Sequence, residues 1–110
     1  MVDLQLWKLT DDRKLINKLL GSDWKYGNNT WSIEGDFIID ESSGNVLDIA
    51  GGAFKNNPVV LYSKHGGAHQ RFKMEPEDGI KDWMKIKNPG SGLCLQSSEN
   101  GGELTVEGNY

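Results

Sequence analysis

The chain has 110 residues, 12 of them Lys or Arg and 16 Asp or Glu, for a formal net charge of −4. Neutralising a phosphate backbone needs a basic surface, so this mildly acidic chain with scattered lysines is a poor candidate for nucleic acid. The lone cysteine, Cys94, rules out an intrachain disulfide, and no apolar run reaches the length that inserts into a membrane.

The length suits one domain, residues 1–110, with a modest core. Fourteen glycines, above an average share, suit a fold built largely of turns. The N-terminus carries no basic-then-apolar signal segment, which leaves both a cytoplasmic and a secreted location open.

In chain order, a polar-x-aromatic element recurs three times: Gln5-Leu6-Trp7, Asn29-Thr30-Trp31 and Gln70-Arg71-Phe72. Each aromatic is followed by a strand-like run, a turn and a glycine. The first run is Lys14–Asn17 before Gly21, the second Phe37–Asp40 before Gly44, and the third Met84–Lys87 before Gly92. The third interval is longer, with its extra residues in an insertion at Glu75–Asp82. A helix over Asp11–Gly21 competes at the first run, since Leu15, Ile16, Leu19 and Leu20 give a partial 3.6-residue period. The repeat register makes Leu15-Ile16-Asn17 a strand.

The repeats are unequal. After Gly21 there is only Trp24-Lys25-Tyr26 before the chain reaches Trp31, so the first repeat lacks a strand and its loop. After Gly92 come Leu93–Gln96, a turn, and Leu104–Val106, with no closing aromatic element before Tyr110. Gln5-Leu6-Trp7 is expected to close this third lobe, which brings the two ends of the chain together. This three-fold self-similarity points to an all-β fold, a β-trefoil with one shortened repeat.

The richest stretch lies in the second repeat, from Gly44 to Lys73. Two apolar strands, Val46–Ile49 and Val59–Tyr62, flank a Gly/Asn/Pro loop. A second Gly-rich loop then leads to His69-Gln70-Arg71-Phe72. This order, with Leu47-Asp48-Ile49, Gly51-Gly52 and Val60-Leu61-Tyr62, resembles one repeat of a ricin B-type β-trefoil lectin. His69 stands where that family usually has Asn, Phe72 where it has Trp, and Val60 where it often has Gln.

The resemblance implies a carbohydrate-binding site at Asp48, Gly51, Tyr62, His69 and Gln70. By the same resemblance Asp48 accepts sugar hydroxyls, Tyr62 stacks on a pyranose, and His69 and Gln70 add polar contacts. A sugar has one C–H face and a rim of hydroxyls, so an aromatic plate beside convergent polar groups suits it. Gly51 and Gly52 leave room beside the backbone. Plainer roles stay open: Asp48 capping its own turn, Tyr62 as a half-buried strand aromatic, and Gln70 orienting Asp48 rather than touching sugar. Gln96 and Val106 replace Asp48 and Tyr62 in the third repeat, and Lys25 replaces Asp48 in the first, so one site per chain is expected.

Enzyme chemistry finds little support. His65 and His69 lie in a Gly-rich segment with no carboxylate or thiol to complete a metal set, and Cys94 sits in an apolar strand. Asp11, Asp12, Glu75, Glu77 and Asp78 fall in turn-like polar stretches. No cofactor is implied. Trp24 is expected in the core and Trp83 has no assigned role. The Asn28-Asn29-Thr30 sequon is a weak signal.

The function implied by the resemblance is non-catalytic binding of galactose- or N-acetylgalactosamine-type glycans, with a homo-oligomer or a fused domain supplying multivalency. Two alternatives stand beside it: a protein-interaction trefoil that uses Met74–Trp83, and a fragment of a longer lectin.

Overall fold

The computed structural model describes residues 4–108. Among the described residues ten strands form five antiparallel hairpins. β1 (Trp7–Leu9) pairs β2 (Leu15–Asn17), β3 (Trp31–Glu34) pairs β4 (Phe37–Asp40), and β5 (Val46–Ile49) pairs β6 (Val59–Tyr62). β7 (Lys73–Glu77) pairs β8 (Ile80–Lys87), and β9 (Cys94–Ser97) pairs β10 (Leu104–Glu107). The run at Leu15–Asn17 is a strand and not a helix.

Trp7, Trp31 and Phe72 are fully buried at the centre, packed with Leu15, Leu47, Ile49, Ile86, Leu95 and Leu104. Burying 150–250 Å² of aromatic surface at about 25 cal/mol per Å² gives each ring about 4–6 kcal/mol of gross transfer free energy. The three closure aromatics are therefore what the strands wrap around.

Each repeat turns a corner on the same hydrogen-bonded device. Asn17 and Asp40, which end their strands, and Asn88, directly after β8, are all buried. Each accepts, at its backbone carbonyl, the N–H of the glycine four residues on, Gly21, Gly44 and Gly92. Each side chain also caps its turn: Asn17 Oδ1 accepts from the N–H of Leu19 and Leu20, Asp40 Oδ2 from Ser43, and Asn88 Oδ1 from Ser91. The N–H of Lys18 reaches the Leu6 carbonyl and that of Glu41 the Thr30 carbonyl. Pro89 has no N–H to offer the corresponding carbonyl of Arg71. There the Asn88 side-chain amide substitutes, donating to Arg71 O and to Ala68 O at 2.8 Å each.

The third lobe is closed from the other end of the chain. Gln5 Nε2 donates to Ser97 O at 2.8 Å, Ser97 N donates to Gln5 Oε1 at 2.7 Å, and Trp7 Nε1 donates to Leu95 O at 3.1 Å. In the first lobe Trp24-Lys25-Tyr26 is a turn rather than a strand, because one short run has no partner strand to pair with. Trp24 and Tyr26 fill the space of the missing hairpin: Trp24 stacks on Trp31 at 6.0 Å and meets Trp7 edge-on at 5.0 Å. The shortening leaves a trace. Among the described residues the buried Trp31 Nε1 has no hydrogen-bond partner and no strand presents it a carbonyl, as Leu95 does for Trp7.

The stretch expected as a turn-like insertion at Glu75–Asp82 is instead a hairpin extension. Glu75 and Glu77 lie in β7, and Glu75 faces Lys85 and Lys87 of β8 at 3.9 and 4.0 Å. The apolar cross-strand pairs Met74–Ile86 and Pro76–Met84 alternate with the Glu75–Lys85 pair and set the register of these strands.

Candidate functional site

The site grows out of the register of β5 and β6. Alternation sends Leu47 and Ile49 into the core and Asp48 to the opposite face, cross-strand from Val60. Ala50 and Tyr62 follow on the same face by the two-residue period. Asp48, Ala50, Gly51, Val60 and Tyr62 together line a concavity of about 260 Å³. Tyr62 stands at its rim, 58% exposed, whereas Asp48 at its floor is only 8% exposed.

A nearly buried carboxylate needs a partner, and Gln70 supplies it. The short 3-10 turn Ala68–Gln70 puts that side chain wholly inside, where all its hydrogen-bonding capacity is used. Gln70 Oε1 accepts from His65 N at 2.9 Å and Gly66 N at 3.2 Å. Its Nε2 donates to Ser63 O at 2.8 Å and to Asp48 Oδ2 at 2.9 Å. Two backbone N–H groups thus fix which end of the amide is oxygen, and the NH₂ end must then face Asp48. The other carboxylate oxygen, Oδ1, has no hydrogen-bond partner among the described residues and remains open to the concavity.

His65 completes the surround. Gly67 N donates to its Nδ1 at 3.1 Å, so in the neutral ring Nε2 carries the proton. Nε2 lies 3.6 Å from Asp48 Oδ2, too long for a hydrogen bond, and the ring sits edge-on to Tyr62 at 6.3 Å. A donor and an aromatic edge therefore flank the same carboxylate.

Of the residues expected from the sequence, Asp48, Gly51 and Tyr62 come together in one concavity, with Gln70 directly behind Asp48. Asp48 does not cap its own turn, and Tyr62 is more exposed than a half-buried strand aromatic. His69 points elsewhere. It lines an adjoining concavity of about 690 Å³ that Gly51 and Gly52 also line. His65 was missed; in the sequence it is one polar residue in Lys64-His65-Gly66-Gly67, and only the turn there brings it over Asp48. The Val60 side chain, lacking a polar atom, adds no hydrogen bond to the site.

The other lobes are built differently. Gln96, the counterpart of Asp48, accepts from Gln5 N at 3.0 Å, which ties it to closure of the third lobe. Lys25 is exposed in a turn with no hairpin behind it. Trp83 is half-buried, with Lys8 Nζ and Lys18 Nζ over its ring at 5.8 and 5.6 Å. Among the described residues no group of His, Cys, Asp and Glu could hold a metal ion, and no helix is long and apolar enough to cross a membrane. Burial pushes the Cys94 thiol up from its ordinary range, which keeps it protonated.

The sequence matches the family described as ricin-type beta-trefoil lectin domain-like over residues 3–107, and the chain belongs to that family. Membership points to carbohydrate binding in general. The crystal structure of a designed 3-fold symmetric protein, ThreeFoil, is similar in fold: TM-score 0.63 at 16% identity, covering 96% of this chain and 89% of that one. At this identity the likeness concerns the fold. No curated protein matches the chain in sequence.

Proposed function

We propose that the chain is a non-catalytic lectin with one glycan site in its second repeat, taking galactose- or N-acetylgalactosamine-type sugars. The observation that carries this reading is the Asp48 carboxylate, held at one oxygen by Gln70 and left open at the other, at the foot of the exposed Tyr62 ring. Sugar hydroxyls donate to Oδ1, and the C–H face of the pyranose lies against Tyr62. Gly51 lets the ligand approach the backbone, Gln70 positions Asp48, and the His65 N–H meets a sugar oxygen. His69 meets the glycan from the adjoining concavity.

A shallow site with one ring and a few hydrogen bonds gives dissociation constants of about micromolar to millimolar. Useful retention then comes from several sites on one assembly, through self-association or a fused domain. The test is retention on immobilised galactose and N-acetylgalactosamine. Asp48→Ala is expected to abolish retention with the fold kept, at a cost of about 1–3 kcal/mol for the buried Gln70 N–H left unpaired, because Gln70 keeps its other three bonds. Equal retention of the variant would sink the reading and favour a protein-binding trefoil.

A further inference from the structure

Beside the Asp48 concavity lies a larger one with a ring of its own. It is formed by the β5–β6 loop, the 3-10 turn and the corner after β8, and its lining includes Gly51, Gly52, Phe54, His69, Gly90 and Ser91. Phe54 is 68% exposed and takes no part in the core. Nor is it a loosely hanging side chain. A Cβ built on Gly52 would come within 2.9 Å of the Phe54 ring, so the ring rests on the glycine backbone. The loop beneath is braced by Asn57 Nδ2, which donates to Gly52 O at 2.9 Å, and by Phe54 N, which donates to the same carbonyl at 2.9 Å. The His69 imidazole, whose Cε1 would lie 3.9 Å from the same Gly52 Cβ, has no hydrogen-bond partner among the described residues.

We infer that this groove is a second saccharide subsite, which takes the next sugar unit of the same glycan whose first unit sits at Asp48 and Tyr62. The inference rests on the lectin reading above. Continuity selects the occupant: Gly51 lines both concavities, so a chain leaving the first passes directly into the second. The chemistry agrees, since a pre-positioned aromatic plate and one free polar ring match a C–H face and a hydroxyl. The protein therefore prefers oligosaccharides to single sugars, and the loop Gly51–Phe54 sets which linkage fits.

The test compares methyl β-galactoside with a panel of galactose- and N-acetylgalactosamine-terminated tetrasaccharides of different linkages. Binding is measured by calorimetry or chemical shift to wild type, Phe54→Ala, His69→Ala and Asp48→Ala. At least one tetrasaccharide is expected to bind about fivefold or more tighter than the monosaccharide, the gain expected of one stacked ring. Phe54→Ala should remove that gain and leave the monosaccharide constant unchanged, and His69→Ala should reduce it. Because Phe54 is exposed, its loss does not threaten the fold. Monosaccharide binding with no gain from any tetrasaccharide, or a gain that survives Phe54→Ala, overturns the second subsite and leaves the first intact. Tetrasaccharide binding that needs Phe54 but not Asp48 supports the groove and overturns the Asp48 site. No binding of any probe overturns both.

Discussion

Gln70 is the residue on which both the second lobe and its candidate site depend, and Gln70→Ala tests that dependence. The side chain is fully buried and makes four hydrogen bonds, to His65 N, Gly66 N, Ser63 O and Asp48 Oδ2. Truncation frees three backbone groups close enough to the surface to regain water, which limits their cost. The Asp48 carboxylate, mostly buried, loses a charge-assisted bond of about 1.5–3 kcal/mol. Together with a small cavity, the expected loss is about 2–4 kcal/mol, or roughly 10–20 °C in melting midpoint for a domain of this size. Urea unfolding followed by tryptophan fluorescence reads the loss directly. Gln70→Glu separates the roles of the two amide ends. The new carboxylate still accepts from His65 and Gly66 but points its second oxygen at Asp48 and at the Ser63 carbonyl. Two carboxylates in contact raise the proton affinity of the pair above that of the unfolded chain, so protons favour the folded state. This variant should therefore gain stability relative to wild type as pH falls from 7 towards 4. A Gln70→Ala loss below about 0.5 kcal/mol with sugar binding intact would refute the assigned role.

Three further outcomes follow from the same geometry. Trp7→Phe and Trp31→Phe remove similar volumes, but the first discards a hydrogen bond to Leu95 O and the second discards an unpaired N–H. Trp7→Phe should cost about 1–2 kcal/mol more in chemical denaturation. Asn88→Asp would turn a carboxylate oxygen towards the Ala68 and Arg71 carbonyls, and a loss of about 3 kcal/mol or more is expected by the same assay. Cys94, buried and held protonated, should resist iodoacetamide at pH 8 in the native state and react once denaturant unfolds the chain.

Much of the scaffold was legible because it is written in large apolar residues at repeating positions. Trp7, Trp31 and Phe72 marked the three closures, and the runs at Val46–Ile49 and Val59–Tyr62 gave strands with those bounds. The closure of the third lobe by Gln5 could be inferred because the repeat left one element missing at the end and one spare at the start. β7 was harder to see, since Lys73–Glu77 contains a proline and only two apolar residues, Met74 and Pro76, carry its alternation. Within the site, the positions of Asp48 and Tyr62 followed from strand alternation. Those of His65, Phe54 and His69 did not, because all three sit in irregular backbone set by turns with glycines at positive φ, Gly52 and Gly66 among them. Alternation tells which face a strand residue takes; nothing comparable aims a loop side chain.

The central claim is that Asp48 and Tyr62 hold a sugar, and a chemical-shift titration of isotope-labelled protein tests it most directly. Galactose, N-acetylgalactosamine, lactose and glucose would each be added to the wild-type protein and to Asp48→Ala. Saturable shifts at Asp48, Gly51, Tyr62 and Gln70 with the galactose-type sugars, absent in Asp48→Ala, are the predicted result. No shift at these residues at about 50 mM of any sugar, beyond the millimolar range expected of so shallow a site, would contradict it.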